Sequence, residues 1–204
     1  MVELRRGAFI TIEGVDGAGS STQTRLLVSS LIESGYPAIY TKEPNPKGKV
    51  ESVIRHFLRE PYAAPELDAL LFASDRVDHI EHFIKPWLNS RNIVVSDRYL
   101  ESSVSYQTAQ GLEEQWVLSI NKYALAPDVT IILDIDPAIS LKRKGAAPER
   151  FENIRFLSKV RKRFLERAKV MGYPVINANR PLKEVHKEIL QIVFPLIKRI
   201  SRKS

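Results

Sequence analysis

Cysteine is absent from the 204 residues, which excludes a disulfide scaffold and any metal site built on thiolates. Long apolar runs are missing too. The N-terminal stretch Ala8–Ile12 is too short for the hydrophobic region of a signal peptide, and nothing approaches the roughly 18 uninterrupted apolar residues that span a bilayer. The sequence therefore predicts a soluble, cytoplasmic chain with no membrane partner. No internal repeat, low-complexity tract or interdomain linker interrupts it. Acidic residues are too few to balance the 31 Lys and Arg, leaving a net charge of +7 concentrated in Lys142–Lys144, Lys159–Arg163 and the tail Lys198–Lys203. That sign suits nucleic acid or polyanionic small molecules. The basic stretches lack interleaved aromatics, so a nucleic-acid partner is not expected.

What is present reads as one α/β domain over residues 1–204, because 44% hydrophobic residues in a chain of this length fill a single core. Short apolar, β-branched runs predict strands near Ala8–Glu13, Ala38–Thr41, Ile93–Ser96, Thr130–Asp134 and Pro174–Asn177. Helical spacing fills the intervals at about 21–33, 49–58, 102–107, 112–124 and 153–171, and again after Pro181. A longer helix opens at Pro65, with Ala73, Val77, Ile80, Ile84 and Trp87 on its apolar stripe; Pro86 is expected to bend or end it, and Pro195 to kink the last helix. Parallel strands need crossover helices, so the alternation predicts a five-stranded parallel sheet with helices on both faces. Ligands then gather at the C-terminal strand ends, where Glu13–Ser21, Lys42–Lys49 and Asp97–Tyr99 fall.

The organising stretch is Phe9–Thr24: an apolar strand, a glycine-rich turn and the start of a helix. Residues Gly14, Val15, Asp16, Gly17, Ala18, Gly19, Ser20, Ser21 and Thr22 form a candidate phosphate cradle, with backbone N–H groups and a helix dipole facing an anion. Against the pattern G-x-x-x-x-G-K-[ST], every fixed position matches except one: Ser20 stands where lysine belongs. Ser21 keeps the hydroxyl that holds magnesium between phosphates. At the end of the third strand, Asp97 can order magnesium water or hold an arginine, and Arg98 can fork onto phosphate oxygens.

Together with these, Ile12–Gly19, Thr41–Pro44, Leu71–Arg76, Ile84–Pro86, Asp97–Tyr99, Ser102–Gln107, Pro127-Asp128, Leu133–Pro137, Leu141–Arg143 and Glu149–Glu152 form an ordered set over nearly the whole chain. The set resembles thymidylate kinases, the P-loop enzymes that pass the γ-phosphoryl of ATP to dTMP. The resemblance implies a P-loop NTPase-type three-layer fold with a short lid at about 142–151. It implies that dTMP meets Asp16, Phe72, Arg76, Arg98, Ser102, Ser103, Tyr106 and Gln107. Phe72 would stack on thymine, Arg76 would donate to a thymine carbonyl, and Arg98 would grip the acceptor phosphate. Tyr106 would lie beneath the sugar. Catalysis would draw on Asp16, Asp97, Arg98, Arg143 and Arg150, with Arg143 also against the donor base; Ser21 and Asp97 would hold Mg2+. A homodimer is expected, with ATP and dTMP as small-molecule partners.

Serine at position 20 leaves phosphate charge to be met from elsewhere. Arg143, Lys144 or Arg150 in the lid, or Lys42 beyond the second strand, are candidate substitutes; a hydroxyl donor at Ser20, or loss of turnover, are the alternatives. Lys47 or Lys49 is a candidate for the acceptor phosphate, because Glu43–Pro46 lacks the glycines or basic residue of many relatives. Another nucleoside monophosphate as acceptor, or a nucleotide-binding regulator without turnover, are the rival functions.

Overall fold

The computed structural model describes residues 2–60, 62–144 and 153–201, without the Lys144 side chain. Strands β1 (Ala8–Gly14), β2 (Ala38–Lys42), β3 (Ile93–Asp97), β4 (Val129–Asp134) and β5 (Val175–Asn177) form one parallel sheet in the order β2-β3-β1-β4-β5. Each expected strand is found within about a residue of its predicted bounds. Side chains alternate between two apolar layers, as the period of a pleated strand requires. Ile10, Ile12, Ile93 and Val95 join Leu27 and Leu31 of helix α1 (Ser20–Glu33) on one face; Phe9 and Val94 meet Ile80 and Ile84 on the other.

Helices α2 (Glu51–Arg59) and α3 (Pro65–His79) follow β2. A π-helical turn, Ile80–Ile84, carries α3 directly into α4 (Lys85–Asn89). Pro86 therefore neither ends nor breaks the run. A wider turn just before it lets the helix pass a residue with no N–H to donate, whose ring needs room from the carbonyl four residues back. Along the run Ala73, Ile80 and Ile84 are buried, but Val77, before the wider turn, and Trp87, after it, are 42% and 40% exposed. The apolar stripe of the sequence thus divides between core and surface.

Next come α5 (Leu100–Ala109), α6 (Glu114–Ile120), α7 (Pro137–Lys144), α8 (Ile154–Met171) and α9 (Leu182–Ile200). α6 is shorter at both ends than the predicted 112–124, and α9 runs through Pro195 as one helix. α7 takes in residues 142–144, so the start of the expected lid is helical; residues 145–151 of that lid lie outside the described residues. Connections leaving β1 and β3 run to opposite sides of the sheet, which opens a crevice beyond their C-terminal ends. Among the described residues, no helix is long and apolar enough to cross a membrane.

Candidate active site

That crevice is a cleft of about 730 Å³. Its floor at one end is the turn between β1 and α1. Gly17 has φ +79°, and a Cβ there would come 2.3 Å from the Ser140 carbonyl oxygen, so the loop lies directly against α7. Gly14 is in close contact with β4 for the same reason: a Cβ would meet the Leu133 carbonyl at 2.8 Å. Gly14 and Val15 do not line the cleft, and Val15 is buried in the core. The lining of this end comes instead from Asp16 through Thr22. α1 begins after Gly19 with no side-chain cap and no acid in its first turn, so its N-terminal dipole faces the cleft uncompensated by any carboxylate of that turn.

Ser21 Oγ donates to Asp97 Oδ2, joining the two residues predicted to share a metal. The other oxygen, Asp97 Oδ1, is buried with no hydrogen-bond partner among the described residues. A hard divalent cation fits this set, because magnesium is held by one or two carboxylates with the remaining ligands from phosphates and water. No cluster of three or more metal-ligating side chains occurs among the described residues.

Beyond β3 the chain turns sharply. Arg98 has φ +71°, and its N–H donates to the Ile12 carbonyl at 3.0 Å, aligning the end of β3 with β1. Its guanidinium donates to Asp16 Oδ1 at 2.8 Å and Ser102 Oγ at 3.0 Å, and lies 5.3 Å from the centre of the Tyr106 ring. Tyr106 in turn donates to Asp16 Oδ2 at 3.1 Å. Burial opposes the Arg98 charge, but the facing Tyr106, Asp16, Asp97 and Glu13 outweigh it and raise its pKa. Burial holds the Tyr106 hydroxyl well above its usual range.

Two residues that sequence reasoning missed hold this arrangement from behind. Glu13, fully buried at the end of β1, accepts from Ser102 Oγ at 2.5 Å and from the Glu101 N–H at 3.2 Å. Burial pushes its carboxyl up to about 7, against the opposing pull of Ser102 and Arg98. Glu43, after β2, accepts from Arg76 at 2.7 Å. Their signal was present, since both acids sit inside the glycine-loop and Thr41–Pro44 motifs, but nothing in the sequence tells a buried carboxylate from a solvated one.

The other end of the cleft is built on α3 and α5. Arg76 is only 2% exposed; it donates to Glu43, Asn121, the Tyr99 carbonyl at 3.1 Å and Ser103 Oγ at 2.8 Å. Its Nε–H and the Gln107 Oε1 are buried without partners among the described residues, and both residues line the cleft. Phe72, one helical turn before Arg76, is half-buried on the lining and belongs to neither apolar core, so plain core packing does not explain it.

Arg143 lies on the flank near β4 and β5, where it donates to the Ala178 carbonyl at 3.0 Å. Arg150 and the Lys144 side chain lie outside the described residues. Lys47 and Lys49 are exposed and do not line the cleft; Arg55, which the sequence reading overlooked, does. Arg180 was also overlooked and lines the opposite flank, paired with Glu188.

A family model for thymidylate kinase matches residues 12–189. Proteins named probable thymidylate kinase from Pyrobaculum calidifontis and Pyrobaculum aerophilum are each 42% identical to the chain. The first match covers 91% of this chain and 95% of the relative, the second 96% and 98%. One of the same name from Staphylothermus marinus is 42% identical over 92% of this chain and 95% of its own length. The chain belongs to the thymidylate kinase family.

Proposed function

We propose that the protein transfers the γ-phosphoryl group of ATP to dTMP, giving ADP and dTDP, with Mg2+ held by Ser21 and Asp97. The observation that carries this reading is the unpartnered pair at the acceptor end. Arg76 offers an N–H and Gln107 a carbonyl oxygen, the complement of the adjacent O4 acceptor and N3–H donor on thymine, and Phe72 supplies a ring face beside them. Buried polar groups left without partners are what a ligand is expected to satisfy.

The acceptor phosphate falls to Arg98. Its guanidinium is fixed on two sides by Asp16 and Ser102, so its orientation is set before substrate arrives. Donor phosphates fall to the Asp16–Thr22 turn, where main-chain N–H groups and the start of α1 meet negative charge. Bound magnesium supplies charge neutralisation between the phosphates. An acceptor phosphate oxygen attacks the γ-phosphorus in line, so no covalent protein intermediate is needed. Tyr106, close-packed under Arg98 and bonded to Asp16, forms the wall facing the sugar and disfavours a ribose hydroxyl.

A cytoplasmic location and a homodimer complete the reading. The dimer is supported by the outer face of α3 and α4, where Leu70, Val77 and Trp87 are 48%, 42% and 40% exposed. Turnover measured across dTMP, dUMP and ribonucleoside monophosphates tests the function. The expected order puts dTMP first, and equal rates with ribonucleotides would refute the Tyr106 assignment and the acceptor with it.

A further inference from the structure

Six cationic side chains line the cleft among the described residues: Lys42, Arg55, Arg76, Arg98, Arg143 and Arg180. Five are already engaged. Arg55 is paired with Glu51, Arg76 with Glu43, Arg98 with Asp16 and Arg180 with Glu188, while Arg143 donates to a main-chain carbonyl. Lys42 makes no side-chain hydrogen bond or ion pair among the described residues, yet it is half-buried.

Sheet geometry fixes the direction in which it extends. Lys42 is in register with Asp97, as Tyr40 is with Val95 and Ala38 with Ile93. Partners in register on parallel strands share a face. Ile93, Val95, Ala38 and Tyr40 all pack with α1, and Asp97 reaches Ser21 at the start of that helix. The intervening Thr41 takes the other face, its Oγ1 2.6 Å from His79 Nε2 on α3. Lys42 therefore stands on the α1 face, beside the Ser21–Asp97 pair and across from the turn in which Ser20 replaces lysine.

Resting on the dTMP kinase reading, we propose that Lys42 supplies the ammonium that the phosphate-binding turn lacks, meeting the phosphoryl oxygens as they pass from donor to acceptor. A P-loop lysine reaches those oxygens from the loop itself; here the same charge comes from the end of the neighbouring strand pair. Lys42 keeps its proton throughout. The bond from the acceptor oxygen to the γ-phosphorus forms as the bond to the β–γ bridging oxygen breaks, and the lysine only donates hydrogen bonds to the charge that moves.

The test compares the full chain with Lys42→Ala, Lys42→Arg, Ser20→Lys and the double variant Ser20→Lys/Lys42→Ala. Lys42→Ala is expected to lower kcat by about 10²–10³-fold, with little change in the KM for dTMP or in the thermal midpoint. Lys42→Arg should keep part of the rate, and Ser20→Lys should restore turnover in the Lys42→Ala background. Full rate in Lys42→Ala, or no recovery in the double variant while Ser20→Lys alone is active, overturns the proposal. If the unmodified chain makes no dTDP, the functional reading fails separately. Lys42 is then judged by calorimetry with a non-hydrolysable ATP analogue and magnesium, where Lys42→Ala must weaken binding at least about tenfold for the assignment to survive.

Discussion

The two ends of the cleft are made differently. The donor end consists of a tight turn and the start of a helix, with hydroxyls at Ser20 and Ser21, and its own sequence contributes no cation. The acceptor end is an interlocked set of charges: Arg76 with Glu43, both buried, and Arg98 with Asp16, both half-buried, while behind the lining Glu101 is gripped twice by Arg167 at 2.9 Å. Main chain suits the donor end because triphosphates differ little from one another, and backbone amides at a helix start meet any of them. A pocket that selects one base and one sugar needs side chains of fixed direction, and a buried side chain is fixed when most of its polar atoms are held and only those meant for the ligand are left open. Stability and recognition are therefore tied together at the acceptor end and separable at the donor end.

Four substitutions sharpen or break that contrast. Arg76→Ala should have the largest effect, lowering stability by about 3–5 kcal/mol because Glu43 is left buried without its cation. Denaturant unfolding measures this, and a loss confined to dTMP binding would show that the acceptor end is not structurally committed. Asp97→Asn keeps an acceptor for Ser21 but weakens the hold on magnesium. Turnover should fall on the order of 10²-fold with the unfolding midpoint nearly unmoved.

Glu13 links the ends through pH. Burial lifts its folded-state pKa to about 7, above the 4.5 of an exposed glutamate, so the group costs nothing where both states are protonated. Between those values the unfolded chain ionises first, and stability falls; above about 7 the cost is constant, at roughly 3 kcal/mol. Unfolding followed from pH 4 to 8 should show that slope, and Glu13→Gln should flatten it. The smallest effect is expected of Phe72→Ala: about a tenfold rise in the KM for dTMP, from loss of a stacking face worth about 1–3 kcal/mol. Stability should change little, since Phe72 belongs to neither core.

Much of this was legible in the sequence. The five strands and the glycine turn announce themselves through period and composition, because parallel strands buried on both faces read as unbroken apolar runs. Asp97, Arg98 and Ser21 were placed at one edge by the rule that ligands gather at strand ends, and there Ser21 bonds Asp97 while Arg98 bonds Asp16. The passage through Pro86 was not legible, since a π turn has no compositional mark and a proline ordinarily signals an end. Arg55 and Arg180 were missed because an arginine on a helix or loop carries no sign of which cleft it faces. Glu13 was missed as a support because its effect comes from burial and from Ser102, 89 positions away in the chain.

The central claim is that this cleft joins ATP to dTMP although its glycine turn carries serine in place of lysine. The most direct measurement is a single-turnover reaction with ATP labelled at the γ-phosphate, dTMP and magnesium, with the products separated by chromatography. Label is expected in dTDP, and none without dTMP. Label that stays in ATP, or appears only as inorganic phosphate while both nucleotides bind, would contradict it.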